Sequence, residues 1–178
     1  MANYKIVFTG PVGAGKTTAI NALSDVGTVG TDQRASDMTS HRKDKTTVAM
    51  DYGIMKIGDR ERVHLYGTPG QERFDFMWDI LSEGCIGLVL LLDNTRADPF
   101  KDLHFFLKAF PDYADSRRLA IGVTRMDVTR TPDLAAYYES LRPLQLVPPI
   151  FEVDARKRQD VATLVRALLY TIDPGLSE

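Results

Sequence analysis

The sequence predicts an α/β fold in which a mostly parallel sheet carries helices on both faces. Three observations predict it. Apolar runs of strand length alternate with helical patterns to the end of the chain, without internal repeats or linkers. A glycine-rich loop joins the first strand to the first helix. Residues 86–92 are almost entirely aliphatic, as expected of a strand that helices cover on both sides.

The first half of the chain predicts three strands and a long loop. Residues 4–8 form an apolar strand, and a helical pattern follows the glycine-rich loop. Residues 27–45 are polar and show no apolar period, which is typical of a long functional loop. Strands are predicted over residues 46–57 and 60–66, with a tight turn at Gly58 and Asp59. That short connection implies a hairpin and therefore one antiparallel strand.

The second half predicts three strands and four helices. The strands cover residues 86–92, 119–123 and 150–153, and helices are expected over residues 71–82, 98–110 and 132–141 and from residue 161 onward. The predicted sheet thus has six strands, one of them antiparallel. A chain of 178 residues is long enough for one domain with a sizeable core, so residues 1–178 are expected to form a single domain.

The composition argues against several classes of protein. Lysine and arginine total 22 against 24 acidic residues, so the net charge is −2 and nothing points to nucleic acid as a partner. The single cysteine, Cys85, rules out an internal disulfide framework and favours a cytoplasmic location. We expect no signal peptide and no direct membrane anchor, because the first strand begins almost at once and no lipidation motif is present.

The stretch from Gly10 to Thr17 reads G-x-x-x-x-G-K-T between a strand and a helix. In such a loop backbone N–H groups and the helix N-terminus surround a phosphate, the lysine reaches the β- and γ-phosphates and the threonine ligates Mg²⁺. A chance glycine-rich turn is the alternative, but four fixed residues in this context seldom arise by accident. The motif predicts a nucleoside triphosphate site built from Gly10, Val12, Gly13, Ala14, Gly15, Lys16, Thr17 and Thr18.

Three further polar stretches follow predicted strands. They cover residues 67–73, 124–127 and 152–156. Ligands of doubly wound folds bind at the carboxyl ends of the strands, so we expect all three stretches to reach the same nucleotide.

With these motifs in this order, the chain resembles the small Ras-like GTPases. It is most similar to their bacterial branch, which includes the gliding-motility polarity GTPase and the conservon GTPases of actinomycetes. The resemblance covers essentially the whole chain and implies a P-loop NTPase fold of the small-GTPase type. It also implies GTP or GDP as the bound nucleotide, Mg²⁺ as the cofactor and slow GTP hydrolysis as the activity.

The resemblance assigns guanine recognition to two stretches. Asp127, after Thr124 and Arg125, matches the aspartate that accepts two hydrogen bonds from guanine, which adenine cannot donate. Arg125 stands where lysine is usual, and its flat guanidinium can stack on the base. Ala155 matches the alanine whose N–H meets guanine O6, with Asp154 and Arg156 beside it. A helix-capping or loop role is the alternative for Asp127.

The resemblance also implies residues for hydrolysis and for the metal. Gln71 would orient the attacking water, and the Gly70 N–H would contact the γ-phosphate. Lys16 completes the predicted catalytic set. Thr47 matches the threonine that closes over Mg²⁺, with Thr46 as the other candidate.

Two residues depart from the family pattern. Gly67 replaces the usual aspartate of the second loop, and Asp51 could substitute for it through a water bound to Mg²⁺. The alternative for Asp51 is an ordinary solvated strand residue. Val12 stands where many Ras-like proteins have glycine, and its bulk predicts slow intrinsic hydrolysis.

Partners and rival functions complete the predictions. The helix from Phe74 to Leu81 is apolar around most of its circumference, so it and the Thr47 loop are expected to dock an effector or an activator. Burial in the core alone is the other interpretation of that helix. The resemblance implies a roadblock-type dimer as activator. A GTP-binding module without hydrolysis and a P-loop kinase remain the rival functions.

Overall fold

The computed structural model describes residues 2–27, 29–30, 51–57, 61–70, 75–115 and 117–174. Within these residues, seven strands form one sheet in the order β2-β3-β4-β1-β5-β6-β7. The strands are β1 (Ala2–Thr9), β2 (Val29–Gly30), β3 (Asp51–Ile57), β4 (Glu61–Gly67), β5 (Gly87–Asp93), β6 (Leu119–Thr124) and β7 (Ile150–Glu152).

The direction of the strands confirms the predicted fold class. β3 pairs antiparallel with β2 and with β4, whereas β4, β1, β5, β6 and β7 pair in parallel. The prediction of six strands was wrong by one, because Val29 and Gly30 add a short strand inside the segment predicted to be a loop. Two residues are too few to show the alternation that identifies a strand in a sequence. The predicted turn at Gly58 and Asp59 lies outside the described residues.

Within the described residues, six α-helices pack on this sheet. They are α1 (Lys16–Leu23), α2 (Phe76–Ser82), α3 (Pro99–Ala109), α4 (Pro111–Asp115), α5 (Leu134–Leu141) and α6 (Arg158–Ile172), and a 3₁₀ turn covers Arg142–Leu144. Neither α4 nor the 3₁₀ turn was predicted from the sequence, because both are too short to give a helical period. The aspartates before α3 and α5 accept hydrogen bonds from the helix N–H groups of Lys101 and Ala136, at 3.0 and 2.9 Å.

The sheet separates two hydrophobic cores. Ile6 and Phe8 of β1 point toward α1 and α6, whereas Val7 between them points toward α2, α3 and α5. All seven residues of β5 are buried, which is the coverage on both faces that its aliphatic sequence predicts. Because β1, β5, β6 and β7 run parallel to one another, their carboxyl ends lie at one edge of the sheet.

The outer edge of β3 is closed by the segment that follows α1. The Ile54 N–H donates to the Ser24 hydroxyl at 3.0 Å, and the Ile54 carbonyl accepts from the Asp25 N–H at 2.7 Å. The Asp25 carboxylate accepts from the Lys56 N–H and from Arg158 of α6, both at 2.7 Å. The Lys56 N–H and then Arg158 hold the pKa of Asp25 below its usual value. These bonds satisfy an edge that would otherwise be open.

The glycine-rich loop leaves β1 in direct contact with the neighbouring strand. Gly10 has a φ of +140°, and a methyl group at this position would lie 2.1 Å from the carbonyl oxygen of Leu91 in β5. Gly13 has a φ of +79°, but a methyl group there would meet no atom within 4 Å. The two glycines therefore satisfy different constraints, one of space and one of backbone conformation.

We expect Gly10→Ala to lower the free energy of unfolding by more than about 3 kcal/mol, because the clash with a backbone carbonyl adds to the unfavourable φ. Gly13→Ala, the matched control, should cost only about 1–2 kcal/mol, the price of the left-handed conformation alone. Urea unfolding of the nucleotide-free proteins, followed by circular dichroism, measures both. Equal losses would show that the contact with Leu91 carries no energetic weight.

Candidate functional site

The phosphate-loop motif folds as a tight turn at the carboxyl end of β1. The Ala14 N–H donates to the Pro11 carbonyl at 3.2 Å, and Gly15, with a φ of +101°, leads directly into α1. The first residue of α1 is Lys16. The N-terminus of the helix, with its unpaired N–H groups and partial positive charge, thus opens toward the loop.

Lys16 is buried inside this loop. Its Nζ donates to the carbonyl oxygens of Gly10 and Pro11 at 2.7 and 2.8 Å. Burial lowers the pKa of Lys16 to about 8, and the negative charge of Asp51 opposes part of that shift. A polyphosphate beside the ammonium would favour its charged form, so a desolvated cation at this position suits an anionic ligand.

Thr17 and Asp51 meet at the end of the loop. The Thr17 hydroxyl donates to Oδ2 of Asp51 at 2.5 Å, although the two residues are 34 positions apart in the chain. Asp51 begins β3, where it pairs with Gly67 of β4. A methyl group at Gly67 would lie 3.1 Å from both Cβ and Oδ2 of Asp51. The Asp51 side chain therefore occupies the space that a side chain at position 67 would need.

The second glycine loop packs against the first. A methyl group at Gly70 would lie 2.6 Å from the backbone nitrogen of Val12 and 2.9 Å from Nζ of Lys16, so only glycine fits. The buried indole of Trp78 donates to the Pro69 carbonyl at 3.1 Å. Its ring centroid lies 5.6 Å from that of Phe110 in the core. This contact fixes Pro69 and hence the approach of Gly70.

Three residues assigned to this side of the site by the sequence analysis cannot be placed. Thr47, its alternative Thr46, and Gln71 lie outside the described residues. Their roles stay predictions.

The phosphate loop and the loops that follow β6 and β7 form one cavity on the other side of the phosphate loop. Its volume is about 310 Å³, within the range of about 300–1,000 Å³ that small-molecule pockets occupy. This cavity brings together residues of three separate stretches of the sequence that were predicted to bind one nucleotide. The lining is Ala14, Gly15, Thr18, Thr124, Arg125, Asp127, Val128, Val153, Asp154, Ala155 and Arg156.

Two contacts join the loops that line this cavity. The buried Thr124 hydroxyl lies 3.0 Å from the Ala14 carbonyl and 3.1 Å from the Leu92 carbonyl, to which it can donate. A methyl group at Gly15 would lie 3.0 Å from Cβ of Ala155, so the phosphate loop and the last loop touch without room between them. Thr124 thus has a structural role, because its hydroxyl joins the phosphate loop to the end of β5.

Asp154 and Arg156 bind each other within one loop. The Arg156 guanidinium donates to both Asp154 oxygens, at 2.8 and 2.9 Å, and the Arg156 N–H adds a third bond at 3.0 Å. These hydrogen bonds lower the pKa of Asp154 to about 2. The pair holds the turn that carries Ala155, a structural part that the sequence analysis did not foresee.

Two residues at the end of β5 were not predicted from the sequence as parts of the site. Asp93 forms an ion pair with Arg125. Next to it, the Asn94 side-chain amide donates to the carbonyls of Thr129 and Pro132 at 2.6 and 3.0 Å. An Asp-Asn pair directly after an aliphatic strand was the available signal, because this is the sheet edge where ligands bind.

The Asn94 side chain is itself oriented by a buried hydroxyl. Tyr137, which is fully buried, donates its hydroxyl hydrogen to the Asn94 carbonyl oxygen at 2.7 Å. Burial raises the pKa of Tyr137, so the hydroxyl stays protonated as a donor. Asn94 therefore anchors the segment after Asp127 through the carbonyls of Thr129 and Pro132.

The described part of the chain lacks two kinds of feature. It contains no group of three or more histidine, cysteine, aspartate or glutamate side chains placed to hold a metal ion. None of its helices has the length and apolar character needed to cross a membrane.

Comparison with known proteins gives the family. A family model described as a conserved hypothetical ATP binding protein matches residues 26–173. The chain belongs to this family. The match to this ATP binding protein family starts after the phosphate loop, so that loop is an independent observation.

Individual relatives point to the Ras-related proteins. The chain is 28% identical to Ras-related protein Rab-12 of Mus musculus over 128 residues, 68% of this chain and 48% of that protein. It is 26% identical to Ras-related protein Rab-10 of Diplobatis ommata over 124 residues, 67% of this chain and 56% of that protein. It is 33% identical to an uncharacterized protein of Methanocaldococcus jannaschii over 93 residues, 52% of each chain.

These matches support a general description of the protein's class. The chain spans about half the length of the curated relatives it matches, at 48% and 52%. With the phosphate loop and the fold, they show a nucleotide-binding P-loop protein that is similar to Ras-related proteins.

Proposed function

We propose that this chain is a small GTP-binding protein that binds GTP and GDP with Mg²⁺, hydrolyses GTP slowly and acts as a nucleotide-dependent signalling or polarity switch. The observation that carries the proposal is the cavity of about 310 Å³ in which residues of the phosphate loop meet Asp127 and Ala155. The resemblance to bacterial polarity GTPases supports the switch role. A cytoplasmic location is part of the proposal.

The choice of guanine over adenine rests on Asp127. The family description names ATP, whereas several relatives are Ras-related proteins. The Asp127 carboxylate lines the cavity and offers only acceptors. Guanine presents two donors on the matching edge, its N1–H and its amino group, and adenine presents an acceptor at N1. A site with this carboxylate therefore favours guanine.

We expect Asp127→Asn to weaken GTP binding and to improve binding of xanthosine triphosphate, because the amide replaces one acceptor with a donor. Groups left without a partner cost about 1–3 kcal/mol each. Titration with guanine, adenine and xanthine nucleotides measures the change. Asp98→Asn, which removes a charge at a helix cap outside the residues that line the cavity, is the control. Preferential binding of adenine nucleotide by the wild-type protein would overturn the GTP assignment.

Hydrolysis is assigned to the region where the two glycine loops meet. Gly70 touches the Val12 backbone and Lys16, and Gln71 is the next residue. Lys16 places a positive charge at the phosphates, and Gln71 orients the attacking water. The Val12 side chain is 56% exposed, so it contributes bulk at this junction without supporting the core.

We expect Gln71→Leu to retain GTP but to hydrolyse it at least about tenfold more slowly, because misplacing a reactant is costly. Val12→Gly should hydrolyse GTP faster, chiefly with an activator present. Single-turnover phosphate release from preloaded protein measures both rates, and the affinity for GDP controls for binding. If both variants match the wild-type rate, the chain is better described as a GTP-binding module without hydrolysis.

The residues at Thr17 fit a magnesium ion held mainly by the nucleotide. Mg²⁺ prefers oxygen ligands and keeps several waters, and Thr17 and Asp51 provide oxygens at the end of the phosphate loop. Thr17 and Thr47 would hold the ion, which neutralises charge on the phosphates when bound. Asp51 would accept hydrogen bonds from Thr17 and from a water, in place of the missing aspartate at Gly67.

We expect Asp51→Asn to raise the Mg²⁺ concentration needed to retain nucleotide by about 10–100-fold, as losses of this indirect kind do. Adding Gly67→Asp without removing the side chain at position 51 should not restore nucleotide retention well, because the new Cβ would lie 3.1 Å from that side chain. The exchange Asp51→Gly with Gly67→Asp should restore retention. Nucleotide release across a Mg²⁺ titration compares them with the Asp98→Asn control. Identical curves for wild type and Asp51→Asn would remove Asp51 from the metal site.

The partner surface includes the outer face of α2. Trp78 and Leu81 lie on the buried face of α2, whereas Phe76 and Ile80 of the same helix are 59% and 64% exposed. The exposure of Phe76 and Ile80 supports the predicted docking role of this outer face. Because Trp78 is bonded to Pro69, this face is connected to the Gly70 loop. An effector and a roadblock-type activating dimer are the proposed partners, through α2 and the Thr47 loop.

A further inference from the structure

Arg125 has an unusual backbone at the mouth of the 310 Å³ cavity. Its φ is +60°, in the left-handed region that side-chain-bearing residues rarely adopt. Such conformations cluster where a side chain has to be aimed at a ligand. The Arg125 side chain lines the cavity and is 49% exposed.

The Arg125 guanidinium is anchored from the sheet. Its Nη1 donates to Oδ2 of Asp93, the last residue of β5. The Asp93 side chain is only 5% exposed, and its other oxygen accepts from the Thr95 N–H and hydroxyl at 2.9 and 2.6 Å. Asp93 is thus a fixed, buried carboxylate that directs one oxygen at Arg125.

We propose that Asp93 is a positioning residue that holds the Arg125 guanidinium against the face of the bound purine. This inference rests on the proposed nucleotide site and adds a division of labour within it. A flat guanidinium attracts the π-face of any purine, so the Asp93–Arg125 pair sets how tightly the base is held. Asp127, which meets the edge of the base, decides which purine is held.

The Asp93–Arg125 ion pair favours binding of the base because it reduces the entropy that the arginine side chain loses on binding. A free arginine side chain has many rotamers, and binding would have to select one of them at a cost in entropy. Asp93 makes that selection before the ligand arrives, so little is lost on binding. Removing the Asp93 carboxylate should therefore lower the affinity that the base contributes and leave the affinity that the phosphates contribute unchanged.

The experiment compares a nucleotide with its base-free counterpart. GDP and ribose 5-diphosphate bind through the same phosphates and sugar, and they differ in the purine. We expect Asp93→Asn to weaken GDP about 3–30-fold, the range of a cation–π contact, and to leave ribose 5-diphosphate unchanged. Arg125→Ala should do the same, and the double variant should be no worse than either single one, because both remove one interaction.

Matched variants separate positioning from general damage. Asp93→Asn keeps the shape of the side chain and an oxygen for Thr95, and Arg125→Ala changes a half-exposed residue, so the second variant tests the inference even if the first folds poorly. Asp102→Asn breaks the comparable Arg96–Asp102 ion pair on α3, outside the residues that line the cavity, and should bind GDP like wild type. An equal loss for both ligands, or additive losses in the double variant, would overturn the inference.

The result also distinguishes this inference from the GTP assignment. If wild type prefers ADP, the GTP proposal fails, but stacking does not depend on the purine and the same comparison is made with ADP. If neither purine nucleotide binds wild type more tightly than ribose 5-diphosphate does, the base contributes nothing and the inference is wrong.

Discussion

The site depends on the close approach of the phosphate loop to the sheet. At Gly10 the loop lies so near the Leu91 carbonyl that no side chain fits, and one turn later the Ala14 carbonyl faces the Thr124 hydroxyl. These contacts place the start of α1 beside the carboxyl ends of β5 and β6. A loop displaced outward would separate the cation of Lys16 from the residues assigned to the base, and the two halves would no longer share one ligand.

Much of the fold followed from the sequence because local patterns and tertiary packing agree. The aliphatic run of β5 predicted a strand covered on both sides, and a hairpin after the polar loop predicted the antiparallel strand. The two-residue strand at Val29 was missed because it has no period of its own. Its pairing with Tyr52 and Asp51 is a long-range contact that a local pattern does not contain.

The site was predicted less completely, for a related reason. Motifs identified groups that line the cavity, such as Asp127, but did not identify the groups that support them. Asp93 and the Asp154–Arg156 pair act through side-chain geometry that exists only after the strands are assembled. The gap in the family pattern suggested Asp51 as a substitute for the missing aspartate. The structure places Asp51 beside Thr17, where a side chain at Gly67 would crowd it.

The position of Trp78 gives the chain an internal optical probe. It is the only tryptophan among the 178 residues, so all indole emission from the protein comes from this position. Its N–H is bonded to Pro69, next to the glycine that touches the phosphate loop, and its ring is packed on Phe106 and Phe110. Indole emission responds to the loss of a hydrogen bond and to contact with water. The unlabelled protein can therefore report movement of its second loop in real time.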